Sequence, residues 1–504
     1  MSLRMDESPP VSSIVIVGGG LAGCECALTL ARFGVACTLY EQKPVSFSPA
    51  HTSPLLAELV CSNSFRSNDP GTSGVGLLKQ EMRDLGSAVM AVADAVSVPA
   101  GKALAVDRER FAAGLTRRVE AEPLIRLVRR PVRSLEPAEE PELAGRTVVV
   151  AAGPLASEEL AASLRRYSHA GPDSGEDAGL YFYDAIAPIV SAESVNMGVA
   201  FWGSRYGNDG PPPPYADDAP LIVPPAVSPA GSAVEPRAET ACPAGGQAGD
   251  YLNCPMTRQE YEALYQALRA AERVPAHAFE REVHFEGCMP IEALADRGER
   301  TLTFGPFKPV GFTDPRTGRR PYALVQLRAE NAARSAYNLV GCQTKMTHAA
   351  QERVFRLIPG LERAEFLRFG SMHRNTYVNA PACLNADLSL KKRPDVHLAG
   401  QITGVEGYVE SAACGLWAGL VLAVRSRGGE LPPPPPETAL GALLGHLRTP
   451  ARHFQPSNVH FGLMPELEER AVKQSRKAAL AARARRGFAA WMRDTAVLSV
   501  RPPA

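Results

Sequence analysis

Residues 13–17 read SIVIV, and Gly18-Gly19-Gly20-Leu21-Ala22-Gly23 follows at once, leading into an Ala/Leu-rich stretch that runs to Phe33. A β-branched run, a glycine turn and a helical stretch, in that order, admit few folds. A second strand pattern, Val35 to Tyr40, ends in Glu41, which stands 41 − 23 = 18 residues past the last glycine and completes a βαβ unit. The glycines permit a tight bend, close backbone approach to a pyrophosphate and tight helix–strand packing. The helix start near Leu21 offers unpaired N–H groups and the positive end of its dipole to phosphate. Glu41 is spaced to accept from a ribose hydroxyl. The expected cofactor-binding set is therefore Gly18, Gly19, Gly20, Leu21, Ala22, Gly23 and Glu41. S-adenosylmethionine enzymes use a similar turn and acid, so this end of the chain defines a nucleotide site without choosing the nucleotide.

The choice comes from the other end. Val396 to Ala399 forms another short strand pattern, Gly400 to Gly407 is a turn with glycines at 400, 404 and 407, and a helix is expected from about Val409 through Val424. A glycine-rich strand-to-helix turn that returns to the first βαβ unit can set a helix N-terminus against an isoalloxazine, where it stabilises negative charge on the reduced ring. That favours FAD over a free nicotinamide and adds Gly400, Gly404 and Gly407 to the set. Thr147 to Ala152 (TVVVAA), followed by Gly153-Pro154, is a third buried-strand pattern. Strand–glycine punctuation at both ends predicts an α/β fold: a Rossmann-like FAD-binding domain, discontinuous in sequence, with an inserted α+β domain. The expected divisions are 11–190 and 331–430 for the two parts of the FAD-binding domain and 191–330 for the insertion. A C-terminal segment follows at 431–504. Between Asn208 and Gly249 there are ten prolines and little apolar periodicity, which predicts a disordered surface loop at 208–249. Pro432 to Pro436 reads as a stiff spacer.

Charge and thiols narrow the function classes. Lys+Arg and Asp+Glu number 54 each, so the chain is neutral and is no basic nucleic-acid coat. Locally, Arg470 to Arg493 holds eight Lys/Arg and no acid; such a stripe suits RNA phosphates or a plain solvated helix face. The longest apolar run, Gly415 to Val424, is about half of the roughly 20 residues that cross a bilayer, and residues 1–10 lack an apolar signal region. No membrane span and a cytoplasmic location are expected. The ten cysteines should then be mostly reduced, and none has the C-x-x-C spacing of a zinc or redox pair, so no metal is expected. Cys61, in ELVCSNS, and Cys288, in FEGCMP, fall in irregular segments where backbone can present a side chain to a pocket. Cys24, Cys26, Cys37 and Cys414 fit buried fillers, and Cys242 lies in the proline-rich insertion.

GGGLAG (18–23), AELVCSNS (57–64), GLLKQEMR (76–83), YLNCPMT (251–257), FEGCMPIE (285–292), MHRNTYVNAP (372–381) and GQITGVEGYVESAA (400–413) together resemble the bacterial folate- and FAD-dependent tRNA (uracil-5-)-methyltransferases. The resemblance runs from about 13 to 466, departing at the proline-rich insertion and beyond 470, so neither of those segments is expected to be needed for activity. It implies 5-methyluridine formation at position 54 of the tRNA T loop. The one-carbon unit would come from 5,10-methylenetetrahydrofolate, and reducing equivalents from NAD(P)H through FAD, with tRNA as partner and no role for DNA. It also implies two catalytic cysteines. Cys288 matches the thiol that adds to uracil C6, and Cys61 the acid/base for the C5 proton, though the two roles could be exchanged. Tyr408, His373, Arg374 and Asn375 are candidates for the base pocket. A relative that binds tRNA without transferring a methyl group, or one that modifies another uridine, is the alternative.

Overall fold

Strand β1 (Ile14–Val17) is buried along its whole length because sheet strands lie on both sides of it and helices cover its faces, which is why it reads as an unbroken apolar run. In this computed structural model, which describes residues 13–168, 180–207, 249–274, 289–451, 454–467 and 475–495, β1 pairs in parallel with β2 (Cys37–Glu41) and with Thr147–Val150. The full sheet has six strands in the order Ser389–Leu390, Arg393–Leu398, Thr147–Val150, β1, β2, Ile125–Arg129, parallel except at the Ser389–Leu390 edge. Helix α1 (Leu21–Arg32) makes the crossover from β1 to β2. It stops at Gly34, whose φ of 73° closes the end with N–H bonds from Gly34 and Val35 to the carbonyls of Ala31 and Leu30.

Helix Tyr408–Arg425 lies along α1. Gly415 lets the two backbones meet: a Cβ there would stand 2.1 Å from the Ala22 carbonyl oxygen. By length and composition this helix could cross a membrane, but 89% of its apolar window is buried inside the protein, so it is a core helix.

The second body is an antiparallel six-stranded sheet, ordered Phe201–Gly203, Tyr251–Met256, Ala323–Ala329, Ala336–Leu339, Ile189–Ser191, Phe366–Arg368. Helix Arg258–Ala270 starts at a Thr257/Glu260 capping box and buries Tyr261, Leu264 and Leu268 in its core. The α/β fold with an inserted α+β body is therefore as expected. The boundary at 330 is not. Ala336–Leu339, His348–Phe355 and Phe366–Arg368 pack into the second core, so the closing part of the first body begins near Tyr377 and not at 331. The strand pattern in 336–339 carries no mark of which sheet it joins; pairing with 327–329 decides it. A two-stranded ribbon, Leu180–Ala185 with Met372–Tyr377, links the bodies.

The C-terminal segment is docked onto the first body. Helix Ala439–His446 begins against Glu81, whose carboxyl oxygens accept from the N–H groups of Ala439 and Leu440 at 2.8 Å each. Helix Arg476–Asp494 buries Leu480, Phe488 and Trp491, and the Trp491 indole donates to the Pro432 carbonyl at 3.0 Å. Arg485, Arg486 and Arg493 face solvent. Arg470 and Lys473 of the basic run, and the loop at 208–248, lie outside the described residues.

Candidate active site

The turn after β1 opens a cleft of about 1120 Å³ lined by Gly18, Gly19, Gly20, Leu21, Ala22, Glu41 and, from the late turn, Gly400. Gly18 has φ 109°, and a Cβ on it would lie 2.4 Å from the Ala151 carbonyl oxygen, so only glycine lets the turn pass this close to the neighbouring strand. Gly23 faces away from the cleft and abuts the Gly18 carbonyl. Glu41 is 6% exposed; one of its oxygens accepts from the Gly19 N–H at 2.8 Å and the other from the Lys43 N–H at 2.9 Å. The acid is thus held rigidly at the end of β2, with lone pairs left for a ribose. His51, also on this cleft, has its pKa lowered to about 4 by burial and then by the Lys43 charge, so its ring is neutral at physiological pH.

Two of the three late glycines take other parts. Gly407 lines a second cleft, not the first. Gly404 lines neither: a Cβ there would meet the Phe454 ring at 2.4 Å, and its φ of 94° serves packing of the turn.

The second cleft, with about 1250 Å³ between its walls, holds Cys61 together with Arg328, Asn338, Gln343, His373 and Asn375. Among the described cysteines Cys61 alone is half-buried. Burial pushes the thiols of Cys37, Cys254, Cys383 and Cys414 up to about 12, and those of Cys24, Cys26 and Cys342 higher still, which leaves them inert as nucleophiles. The Cys61 loop is pinned from both sides. Tyr408, the first residue of the late helix, accepts through its hydroxyl oxygen from the Cys61 N–H at 2.9 Å, the Ser62 N–H at 3.4 Å and the Cys61 thiol at 3.0 Å. Burial, and next the adjacent Cys61, raise the Tyr408 pKa well above its usual value, so it stays a phenol. From below, the Arg108 guanidinium donates to the carbonyls of Leu59 and Val60 at 2.5 and 3.3 Å and pairs with Glu330 at 2.7 Å. The His373 pKa is lowered, first by burial and then by the Arg368 charge, and its ring meets the Ser371 hydroxyl at 2.9 Å. Asn375 is buried in the wall; the side chain of Arg374, and Cys288 and Cys242, lie outside the described residues. The segment from Met289 is tied to this cleft through the Ile291 N–H, which donates to the Gln343 carbonyl at 2.7 Å.

The two clefts adjoin. Val60, Pro154, Leu155, Gln401 and Tyr408 line both.

The family model for glucose inhibited division protein A matches residues 13–219 and 234–430, skipping only a stretch of the proline-rich insertion. The sequence is 60% identical over 494 residues, 98% of this chain and 92% of the other, to the methylenetetrahydrofolate--tRNA-(uracil-5-)-methyltransferase TrmFO of Nitratidesulfovibrio vulgaris strain DP4. The chain belongs to the TrmFO family. The TrmFO proteins of Oleidesulfovibrio alaskensis and Geobacter sulfurreducens are 59% and 50% identical, each over 95% of this chain and 97% and 99% of their own. In structure, Aquifex aeolicus GidA superimposes with a TM-score of 0.60 at 16% identity, covering 94% of this chain and 76% of that one, which supports the shared fold. Alignment with a second TrmFO, from Nitratidesulfovibrio vulgaris strain Hildenborough, spans 99% of this chain, so that relative carries a counterpart of the segment beyond 470.

In this TrmFO chain the residues of the first cleft fit a dinucleotide: a backbone cradle that a Cβ would fill at Gly18, a helix N-terminus at Leu21 and a buried acid at Glu41. Several residues of the second cleft are invisible to motif reasoning. Arg328, Asn338 and Gln343, which line it, and Arg108, which holds the thiol loop from beneath, come from segments remote in sequence that meet only after folding.

Proposed function

We propose that the chain methylates C5 of uridine 54 in the tRNA T loop, with the one-carbon unit drawn from 5,10-methylenetetrahydrofolate. The observation that carries this reading is a dinucleotide cleft that shares a wall with a pocket holding a half-buried thiol, in a chain of the TrmFO family. FAD would be held by Gly18 to Ala22, Glu41 and Gly400, and when bound it supplies the hydride, drawn from NAD(P)H, that completes the methyl group.

The remaining work falls to side chains. Uracil C5 is a weak nucleophile; a thiolate adding to C6 makes C5 electron-rich enough to take the activated one-carbon unit. Cys288 is assigned that addition on its motif and on the tie of Ile291 to the second cleft. A thiol near pKa 8.5 is only a few per cent ionised at neutral pH, so the pocket must draw off its proton as it reacts. Cys61, held beside the Tyr408 hydroxyl, is assigned the removal of the C5 proton. The target base must leave the tRNA elbow to reach this pocket, at a cost of about a few kcal/mol, and the neutral His373 ring and the Asn375 amide, which line it, are assigned to receive the base.

Purified protein incubated with tRNA lacking the T-loop methyl group, labelled methylenetetrahydrofolate and NAD(P)H should place label on uridine 54 alone. The Cys288→Ala variant should place none while keeping its yellow colour. Label on another uridine, or full activity of the variant, overturns the reading.

A further inference from the structure

Resting on the methylation reading above, we propose that Arg328 is the residue that stabilises the negative charge developing on uracil O4 when a thiolate adds to C6. Arg328 is the penultimate residue of the strand Ala323–Ala329 and lines the Cys61 cleft, yet it is only 7% exposed. A guanidinium this buried normally has a carboxylate partner. Arg108, which donates to the carbonyls of the same thiol loop, has Glu330. Arg328 has none among the described residues: its Nε donates to Asn63 Oδ1 at 2.7 Å and its Nη2 to Asn338 Oδ1 at 3.4 Å. Nη1 makes no hydrogen bond among them and is not sealed off.

Both partners are neutral amides. Asn63 spends its Nδ2 on the carbonyls of Val106 and Ala329 at 2.8 and 2.9 Å, which turns its oxygen to Arg328. Asn338 is the cross-strand neighbour of Arg328, 2% exposed, and its Nδ2 is buried without a partner. Two amide oxygens therefore aim the guanidinium without neutralising it. A resident carboxylate would hold the charge down permanently; neutral tethers leave it available to a charge that appears only during reaction. Addition at C6 creates such a charge. The sulfur lone pair forms the S–C6 bond, the C5=C6 pair shifts toward C4, and the C4=O4 π pair moves onto O4. A solvent proton then joins C5, and loss of the hydrogen originally there returns the electron pair, re-forms C5=C6 and expels the thiolate.

That cycle exchanges the C5 hydrogen with solvent and needs neither folate nor reductant, so it isolates the step. With tRNA carrying tritium at C5 of uridine 54, the folate-free enzyme should release tritium. Arg328→Gln should slow release about 100-fold or more, with Arg328→Lys recovering part of it and with tRNA Kd and flavin content unchanged. Asn338→Asp keeps the tether but places a carboxylate on the guanidinium, and should slow release as well; it decides the case if Arg328→Gln does not fold. Wild-type release in Asn338→Asp overturns the proposal. So does normal release with a raised folate KM, which would make Arg328 a folate carboxylate site, or normal release at saturating tRNA with weakened Kd, which would make it a phosphate contact. Absence of release from the wild type would remove the thiolate-addition chemistry itself and this inference with it, an outcome distinct from a failure of the variants alone.

Discussion

Replacing Tyr408 by Phe removes a single oxygen, and with it the acceptor for two backbone N–H groups and a thiol. Unpartnered buried donors cost about 1–3 kcal/mol each, and here the cost falls on the loop that aims Cys61. Tyr408→Phe should therefore lower methylation about 10- to 100-fold while flavin content, read from visible absorbance, stays at the wild-type level, because the dinucleotide cradle is built from other atoms. Equal loss of flavin would show that the hydroxyl serves the first cleft instead. The same reasoning separates the thiols. Seven of the described cysteines are buried and inert, and Cys61 differs from them because its neighbours are backbone and phenol rather than packed hydrocarbon.

Among the elements, the contact between α1 and helix Tyr408–Arg425 carries the site, since each helix begins at one of the glycine turns. Gly415→Val would drive side-chain carbon into the Ala22 carbonyl, where even a Cβ stands at 2.1 Å. Overpacking of this kind costs about 1–3 kcal/mol or more, and spectroscopic titration should show weaker flavin binding together with a lower melting temperature. The start of helix Ala439–His446 gives a pH signature. Glu81 is fully buried and its pKa is raised by burial to about 8 from 4.5. Folding therefore favours the protonated acid: its contribution is complete below about pH 4.5 and is lost as pH rises toward 8. The melting temperature of the wild type, relative to Glu81→Gln, should fall across that window. A constant difference between the two proteins would mean that the carboxyl is ionised in its cap throughout.

At the scale of the molecule, the thiol loop is clamped between the two bodies. Arg108 from the first and Glu330 from the second form an ion pair with little exposure, and Asn63 reaches across to the Ala329 carbonyl. Breaking a buried pair on one side costs about 3–5 kcal/mol, whereas replacing both partners with apolar groups is far milder. In urea denaturation, Arg108→Met and Glu330→Met should each be strongly destabilising, and the double variant less so than their sum. Strict additivity would mean that the pair does not join the bodies energetically. The docked C-terminal helix belongs at this scale too: Trp491 and the proline tract hold it on the first body, so the tract works as a packing surface as well as a spacer.

The βαβ unit, the acid at Glu41 and the late turn were legible in the chain because each is written within some 30 residues, where strand, turn and helix preferences act locally. The presence of an insertion was legible for the same reason, and family motifs pointed to the two cysteines. What needed the folded molecule was every assignment that depends on distant segments meeting. The second sheet claims residues past 330 because Ala336–Leu339 pairs with 327–329. Gly404 faces Phe454 and not the cleft. Arg328 keeps its charge unpaired because residues 63 and 338, remote from it or carried on a neighbouring strand, supply amides where a carboxylate might have stood. Local sequence sets backbone conformation, whereas desolvation and charge pairing depend on what the rest of the chain brings alongside.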